Sequence, residues 1–320
     1  MEKRGTARAA IEIAGAVIVV LALAWLVFRT AVFEAPPAPP AAAVAQPARQ
    51  QKADLRVPSE AVVVYVAGSV QSSVSGGAWQ TVHVGQRLRA DDALRTSKGG
   101  RTDLSVGDRS RLTLAESSQV TIRELTEKVH RFRLARGRIA VDYKPDGERV
   151  LRIEDESTDA VAETQAARFS VLSTGTSVAI ATETGAVNLA SRDGSVQVDG
   201  GKQSIVYAGT APSAAETIPV KVLLKAANTA PSVADGLCAN VEGVANPGSE
   251  VLVDGAQAQL SASGHFSVRV PRTRDRTSVL VALRDASGHE ETRSIPCSPA
   301  ELQPAQIHDF AIRWKRRQQP

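Results

Sequence analysis

The sequence predicts a mainly β protein, in which a β-roll or short β-solenoid is followed by a smaller β-sandwich. Apolar residues recur two apart, as in Leu104 and Val106, and turn-forming residues separate the pairs. A period of two is typical of strands that bury one face. Of the 320 residues, 43% are hydrophobic but only 4% are aromatic, so the cores must be built from Val, Leu, Ile and Ala. The β-branched members of that set favour strands.

The first folded region is predicted over residues 61–208. Its first half contains three apolar pairs that lie eight positions apart between residues 104 and 122. Its second half contains four pairs that lie nine positions apart, namely Phe169/Val171, Val178/Ile180, Val187/Leu189 and Val196/Val198. Glycine-containing segments such as residues 183–185 are predicted to be the turns between them. One strand and one turn cannot bury a face alone, but stacked units share a core, which favours a β-roll or short solenoid. A closed sandwich is the alternative.

The N-terminal residues predict a single membrane helix over residues 9–33. Residues 13–28 carry no charge and would span about 24 Å as a helix, against a hydrocarbon core of about 30 Å. Lys3, Arg4 and Arg8 precede this run, so residues 1–8 are expected in the cytoplasm and the bulk of the chain in the periplasm, anchored in the inner membrane. A cleaved signal peptide is the alternative, but bulky Val32 and Phe33 stand where a small-residue cleavage site is needed. Residues 34–58, rich in Pro and Ala, are expected to form an extended linker.

Several ordered motifs of the first region resemble the FecR domain family, named for an envelope regulator of iron uptake. The motifs are AGSV at 67–70, Trp79, VGQRL at 84–88, DDALRT at 91–96, residues 100–114, LARGRIAV at 134–141, TGT at 174–176 and DGSVQV at 193–198. The family usually has an aromatic shortly after its Gly-Thr, where this chain has Ser177 and Val178. The resemblance implies an exported β domain. The family's regulators act on a sigma factor through a cytoplasmic segment, but residues 1–8 are shorter than the roughly 12–15 residues that an isolated helix needs.

The last third predicts a second β module over residues 230–297, after a connector over residues 209–229. Turn sequences at 247–248, 263–264 and 285–288 separate short apolar strands, a pattern that resembles a bacterial immunoglobulin-like module. Cys238 and Cys297 bracket this module, and in an exported protein they are expected to form a disulfide. Zinc binding is the weaker alternative, because two cysteines lack partner ligands. Residues 298–320 form a basic tail, expected to be solvated or to touch an anionic surface.

The charge distribution and the motifs argue against nucleic-acid binding and against catalysis. The formal net charge is +4, but residues 60–207 contain 19 Lys/Arg and 19 Asp/Glu, so the folded region is neutral. We find no catalytic motif and expect no cofactor and no metal. A cluster of acidic residues is expected to be a solvated loop, with calcium binding as the alternative; its members are Glu154, Asp155, Glu156, Asp159 and Glu163.

The candidate binding surface is basic and consists of Arg131, Arg133, Arg136 and Arg138. His130 belongs to the same basic run. Phe132 and Leu134 alternate with the arginines along the chain, so the arginines are expected to project outward from one strand. Guanidinium groups suit the carboxylates or phosphates of an envelope partner. The alternative is a solvated face that is balanced by nearby Asp and Glu.

Together these features predict a membrane-anchored, non-catalytic binding or scaffold module that contacts an envelope protein or glycan. The alternative is a component of a FecR-type transmembrane signalling pathway, which rests on the family resemblance.

Overall fold

The computed structural model describes residues 60–107, 109–145, 147–228, 240–270 and 276–297, which lie in one compact unit. Within these ranges the regular structure is entirely β-strand, which confirms the mainly β prediction. The same ranges contain no helix with the length and apolar character needed to cross a membrane. The predicted anchor over residues 9–33, the linker over 34–58 and the tail over 298–320 lie outside the described residues.

The larger part of the described chain is one connected assembly of strands, which we call the β body. Its strands are β1 (Ala61–Ala67), β2 (Val70–Ser73), β3 (Gln80–Thr81), β4 (Arg87–Leu88), β5 (Ala93–Thr96), β6 (Arg101–Val106), β7 (Ser110–Leu114), β8 (Gln119–Leu125), β9 (Val129–Tyr143), β10 (Val150–Asp155), β11 (Val161–Thr164), β12 (Ala167–Ser173), β13 (Ser177–Ser191), β14 (Gly194–Asp199), β15 (Lys202–Tyr207) and β16 (Glu216–Thr217).

The β body consists of two sheets that share the long strands β9 and β13. Sheet A has the order β16-β15-β13-β12-β9-β7-β6-β1-β4. Sheet B has the order β3-β2-β5-β8-β9-β10-β11-β13-β14. Among the described strands, neighbours are antiparallel except β9 and β10, which are parallel. A solenoid would stack successive coils in parallel, so the predicted solenoid is wrong here and the described sheets form a sandwich-like pair.

Each shared strand passes from one sheet to the other at a glycine. Strand β9 pairs with β8 and β10 before Gly137, and with β7 and β12 from Gly137 onward. Strand β13 changes sheets in the same way at Gly185. Their φ angles are 83° and 82°, which an L side chain rarely adopts. The turn predicted at residues 183–185 is therefore a bend within one strand, because a positive φ redirects the chain there without reversing it.

One apolar core lies between sheets A and B, and the sequence periodicity reflects it directly. The pairs on β6, β7 and β8 are all buried in this core, including Leu104, Leu112 and Val120. The nine-residue repeat arises because β12, the two halves of β13 and β14 each contribute one apolar pair. The observed alternation of buried and exposed residues therefore agrees with the period of two read from the sequence.

The C-terminal sandwich comprises two antiparallel sheets around a second core. Sheet C has the order β17-β18-β21 and sheet D the order β20-β19-β22-β23. The strands are β17 (Leu224–Asn228), β18 (Asn240–Ala245), β19 (Glu250–Val253), β20 (Ala256–Ala258), β21 (His265–Arg269), β22 (Ser278–Arg284) and β23 (Glu290–Pro296). The connector predicted over residues 209–229 supplies β16 to the β body and β17 to this sandwich. Cys297 is buried in the second core. Cys238 lies outside the described residues, so its disulfide with Cys297 stays a prediction.

The C-terminal sandwich packs on the outward face of sheet A through a third, small apolar cluster. Leu172, Ala179 and Ala181 from the β body contact Ala286 from the sandwich. Gly248 fits this interface closely, because a Cβ atom there would lie 2.9 Å from the Cδ1 atom of Ile205. The two cores are thus joined by direct packing as well as by the connecting chain.

Candidate binding cleft

The four arginines of the predicted basic surface all lie on β9, but they occupy three different environments. As expected from the alternation, the residues between them, such as Phe132 and Leu134, are buried. The structure brings Arg131 and Arg133 together, places Arg136 in a cleft and directs Arg138 towards the C-terminal sandwich.

Arg131 and Arg133 are balanced by two carboxylates. Arg131 donates to Glu124, and its Nη1 atom lies 3.6 Å from the Oε1 atom of Glu154. Arg133 contacts the other oxygen of Glu154 at 3.1 Å. The hydrogen bond from Arg131 holds the pKa of Glu124 below its ordinary value. This half of the strand matches the alternative that a basic face is neutralised by its neighbours, and exposed pairs of this kind contribute little net attraction to a partner.

Arg138 is a contact between the β body and the sandwich. Its Nε atom donates to the carbonyl of Ala286 at 3.0 Å, and Nη2 donates to the carbonyl of Ser287 at 3.2 Å. Burial lowers the pKa of this guanidinium. The side chain lies beyond Gly137, where β9 has already passed into sheet A. Arg138 therefore belongs to an internal interface and not to the surface that Arg136 faces.

Arg136 lines a cleft of about 660 Å³ between the β body and sheet D. That volume falls within the range of about 300–1,000 Å³ that is usual for ligand sites. The wall on the side of the β body is a cross-strand row on β2, β5, β8 and β9, formed by residues paired in register: Gln71, Arg95, Gln119 and Arg136. Of this row, Gln71, Arg95 and Arg136 line the cleft.

Arg95 is held in place before any ligand arrives. Its Nε and Nη2 atoms donate to the Oε1 atom of Gln71 at 2.9 and 2.7 Å. Its guanidinium also lies over the ring of Trp79, 4.2 Å from the ring centroid, a distance at which cation–π attraction is favourable. The side chain is therefore preorganised in the wall of the cleft.

The opposite wall is the outward face of sheet D, where an apolar strip of Leu252, Leu280 and Ala282 lies beside polar residues. Leu252 and Ala282 are register partners on β19 and β22. Leu280 lies two positions from Ala282 on the same face and is 50% exposed. A large aliphatic side chain that is half exposed in a cleft is available for contact with a ligand.

One end of the cleft contains an ion-pair network that links its two walls. Arg284 of the sandwich pairs with Glu116 of the β body, and its Nη1 atom lies 3.8 Å from Glu250. Glu116 also accepts a hydrogen bond from the backbone N–H of Gly99. Burial, followed by the nearby charge of Glu290, raises the pKa of Glu250. Arg284 is therefore occupied by carboxylates, unlike Arg95 and Arg136.

His130 does not belong to the basic surface with which the sequence groups it. It is buried in the core, where the Tyr143 hydroxyl lies 3.2 Å from its Nδ1 atom. Burial lowers the pKa of this imidazole to about 4. Its even-numbered position, shared with Phe132 and Leu134, already placed it on the inward face of β9.

The acidic cluster of the sequence is distributed over separate local contacts. Glu154 pairs with Arg131 and Arg133, and Glu163 accepts a hydrogen bond from Arg152. The Oδ2 atom of Asp155 accepts hydrogen bonds from the backbone and hydroxyl groups of the two residues at 157 and 158. Over the described part of the chain, no group of three or more His, Cys, Asp or Glu residues could hold a metal ion.

Sequence reasoning missed most of the cleft. Arg95 falls within the DDALRT motif, and an Arg at an outward strand position is a recognisable signal. Leu252 and Leu280 gave no such signal, because the residues of sheet D come from a distant part of the chain and join the cleft only when the sandwich packs on the β body.

Comparison with known proteins identifies part of the β body. Residues 92–188 match the family model described as "FecR protein". No curated protein matches the chain. Two crystal structures of a "putative anti-sigma factor" from Parabacteroides distasonis ATCC 8503 are similar to it, at 14% and 13% identity. Each has a TM-score of 0.35 and covers 39% of this chain, and this chain spans 59% of the length of that protein.

The matched residues run from the start of β5 to the middle of β13, and so include both halves of β9 and the cleft residues Arg95, Glu116 and Arg136. The family resemblance read from the motifs is thereby confirmed for this segment, since residues 92–188 match the FecR family model.

Proposed function

We propose that this protein is a non-catalytic component of a FecR-type signalling pathway and that it acts by binding another protein. The observation that carries the proposal is the FecR match over residues 92–188. The cleft supports it, because the matched segment contributes a preorganised arginine and an exposed arginine to one wall. Both side chains lie in the wall of the cleft, where a partner protein can contact them.

The proposal includes the location predicted from the sequence, with residues 9–33 as an inner-membrane anchor and the strands in the periplasm. The uncharged run over residues 13–28 and the preceding basic residues support this topology. Protease added to intact spheroplasts should degrade the β body. Protection of the β body until the membrane is permeabilised would contradict the topology.

An in-frame deletion tests the signalling proposal. Transcript levels of the host strain would be compared with those of the deletion strain and of the deletion strain that carries the intact gene on a plasmid. We expect a defined set of transcripts to change on deletion and to return on complementation. An unchanged transcript profile under inducing and non-inducing growth conditions would overturn the proposal.

An envelope scaffold is the second candidate function, with a protein or glycan as its partner. The docked C-terminal sandwich favours it, because a second module on the FecR domain enlarges the surface available for contact. The immunoglobulin-like character of this module and its Cys238–Cys297 disulfide belong to the same proposal. A scaffold predicts that deletion alters the envelope, for example its resistance to detergent, while the transcript profile stays unchanged.

A further inference from the structure

We propose that the cleft binds an extended acidic segment of a partner protein, whose carboxylates contact Arg95, Lys98 and Arg136 while its apolar side chains contact Leu252 and Leu280. The inference deepens the proposed function, on which it rests, by naming the chemistry of the partner.

The first argument is the balance of charge in the cleft. Its charged lining residues are the cations Arg95, Lys98, Arg136 and Arg284 and the carboxylates Glu116 and Glu250. The two carboxylates are engaged with Arg284. Over the described ranges, no ion pair joins a carboxylate to any of the other three cations. These three cations are therefore left without a carboxylate partner, and the four cations and two carboxylates of the lining give the cleft a net charge of +2 that attracts an anionic ligand.

The second argument is the spacing of the two arginines. Arg95 and Arg136 belong to one cross-strand row and are two strands apart, which places their Cα atoms about 10 Å from each other. On an extended peptide, side chains on the same face recur about every 7 Å, within reach of two long guanidinium side chains. Because Gln71 and Trp79 already fix Arg95, less conformational entropy is lost on binding.

The third argument is the contrast between the two walls. Successive side chains of an extended chain point to opposite sides. A segment lying between the walls would thus present alternate residues to the arginine row and to Leu252 and Leu280. Aliphatic side chains of sheet D suit an apolar peptide side chain, whereas sugar rings are usually bound on aromatic faces. The ring of Trp79 is covered by Arg95, so the walls favour a peptide over a glycan.

The binding test uses the full-length chain and a fluorescent peptide of about ten residues that alternates Glu and Val, with a Lys–Val peptide as its control. Binding is followed by fluorescence anisotropy. We expect the Glu–Val peptide to bind, with an affinity that falls as salt is added, and the Lys–Val peptide not to bind.

Matched substitutions locate the site. R136E should weaken binding of the Glu–Val peptide about tenfold, since it replaces an attraction by a repulsion. R192E makes the same charge change at an arginine that is 81% exposed and lies outside the cleft, and it should change the affinity less than about twofold. L280S should weaken binding about threefold through lost apolar contact, whereas V64S, at another exposed strand position, should not.

Three outcomes would overturn the inference: no binding of the Glu–Val peptide, equal binding by the R136E and R192E variants, or tighter binding of polygalacturonate than of the peptide. The deletion strain separates this failure from that of the proposed function. If the R136E gene restores all of its transcripts, the cleft is not the site that binds the partner, while the signalling proposal stands. Peptide binding as expected, together with a deletion that changes no transcript, would refute signalling alone.

Discussion

At the scale of single residues, the buried pair of His130 and Tyr143 makes stability depend on pH. Burial lowers the pKa of His130 to about 4 and raises that of Tyr143 to about 12, so both side chains are neutral near pH 7. The unfolded chain binds a proton on this imidazole near pH 6.5, while the folded chain does so only near pH 4. The contribution of this neutral imidazole to stability is therefore fully present above about pH 6.5 and is lost as the pH drops towards 4.

We predict that H130N weakens this pH dependence. Asparagine keeps a polar atom near the Tyr143 hydroxyl but cannot take up a proton, so the loss of up to about 3 kcal/mol between pH 6.5 and 4 should shrink. Urea unfolding at pH 7, 5.5 and 4.5 measures it. H265N, which changes an exposed histidine, is the control and should retain the wild-type profile. A steep acid destabilisation that persists in H130N would show that other groups are responsible.

The burial of His130 could be predicted from the sequence, because His130 alternates with Arg131 and Arg133 in the same phase as Phe132. The sequence could not show that Arg136 and Arg138 have different roles. The two side chains lie in different environments because Gly137 between them turns β9 from one sheet to the other. Arg138 also contacts residues near 286, which come close only when the chain is folded.

At the scale of elements, the bends at Gly137 and Gly185 hold the two sheets of the β body together. A Cβ atom on Gly137 would lie 2.6 Å from the Cα atom of Ser118, closer than real Cβ contacts allow. The backbone N–H of Arg138 donates to the Ser118 hydroxyl at 3.0 Å, so the close approach is also held by a hydrogen bond. The bend thus needs glycine for two reasons, its positive φ and its lack of a side chain.

We predict that G137A destabilises the protein by about 3 kcal/mol or more, since backbone strain and steric overlap add. G201A is the matched control. Gly201 has a φ of 79°, but a Cβ atom there would meet nothing within 4 Å, so this substitution should cost only the strain, about 1 kcal/mol. Chemical denaturation of both variants provides the comparison. Equal losses would mean that the contact with Ser118 is not tight.

Strands were more predictable from the sequence than their connections. Pairs such as Leu112/Leu114 identify a strand because alternate burial is local, and the two sheets bury these residues as expected. Whether Gly185 reverses the chain or bends it depends on which strands lie beside it, here β12 and β14, and that is a long-range property. The same nine-residue period therefore fitted both a solenoid and the observed pair of sheets.

At the scale of the whole molecule, Arg138 and the third apolar cluster join the β body to the C-terminal sandwich. Hydrogen bonds from a charged group contribute about 1.5–3 kcal/mol each, so losing two of them weakens this interface substantially. The cleft depends on the interface, because one of its walls belongs to each side.

We predict that R138A uncouples the two parts, so that a single thermal transition in the wild type separates into two. Protease cleavage between residues 218 and 223, where the chain crosses from one part to the other, should become faster in the same variant. R133A removes an arginine from the same strand whose ion pair is with Glu154 of the β body, and it should keep one transition. A single transition and unchanged cleavage in R138A would indicate that the apolar cluster alone is sufficient.

The pairing of β1 with β6 and of β2 with β5 has a practical consequence for anyone who truncates the gene. A fragment trimmed to residues 92–188 would begin after β1 and β2 and end inside β13. Its β6 and β5 would each lose a neighbour, and their bare amide edges would recruit strands from other molecules. Such a fragment should precipitate on expression, whereas one that starts at residue 60 keeps both flanking partners.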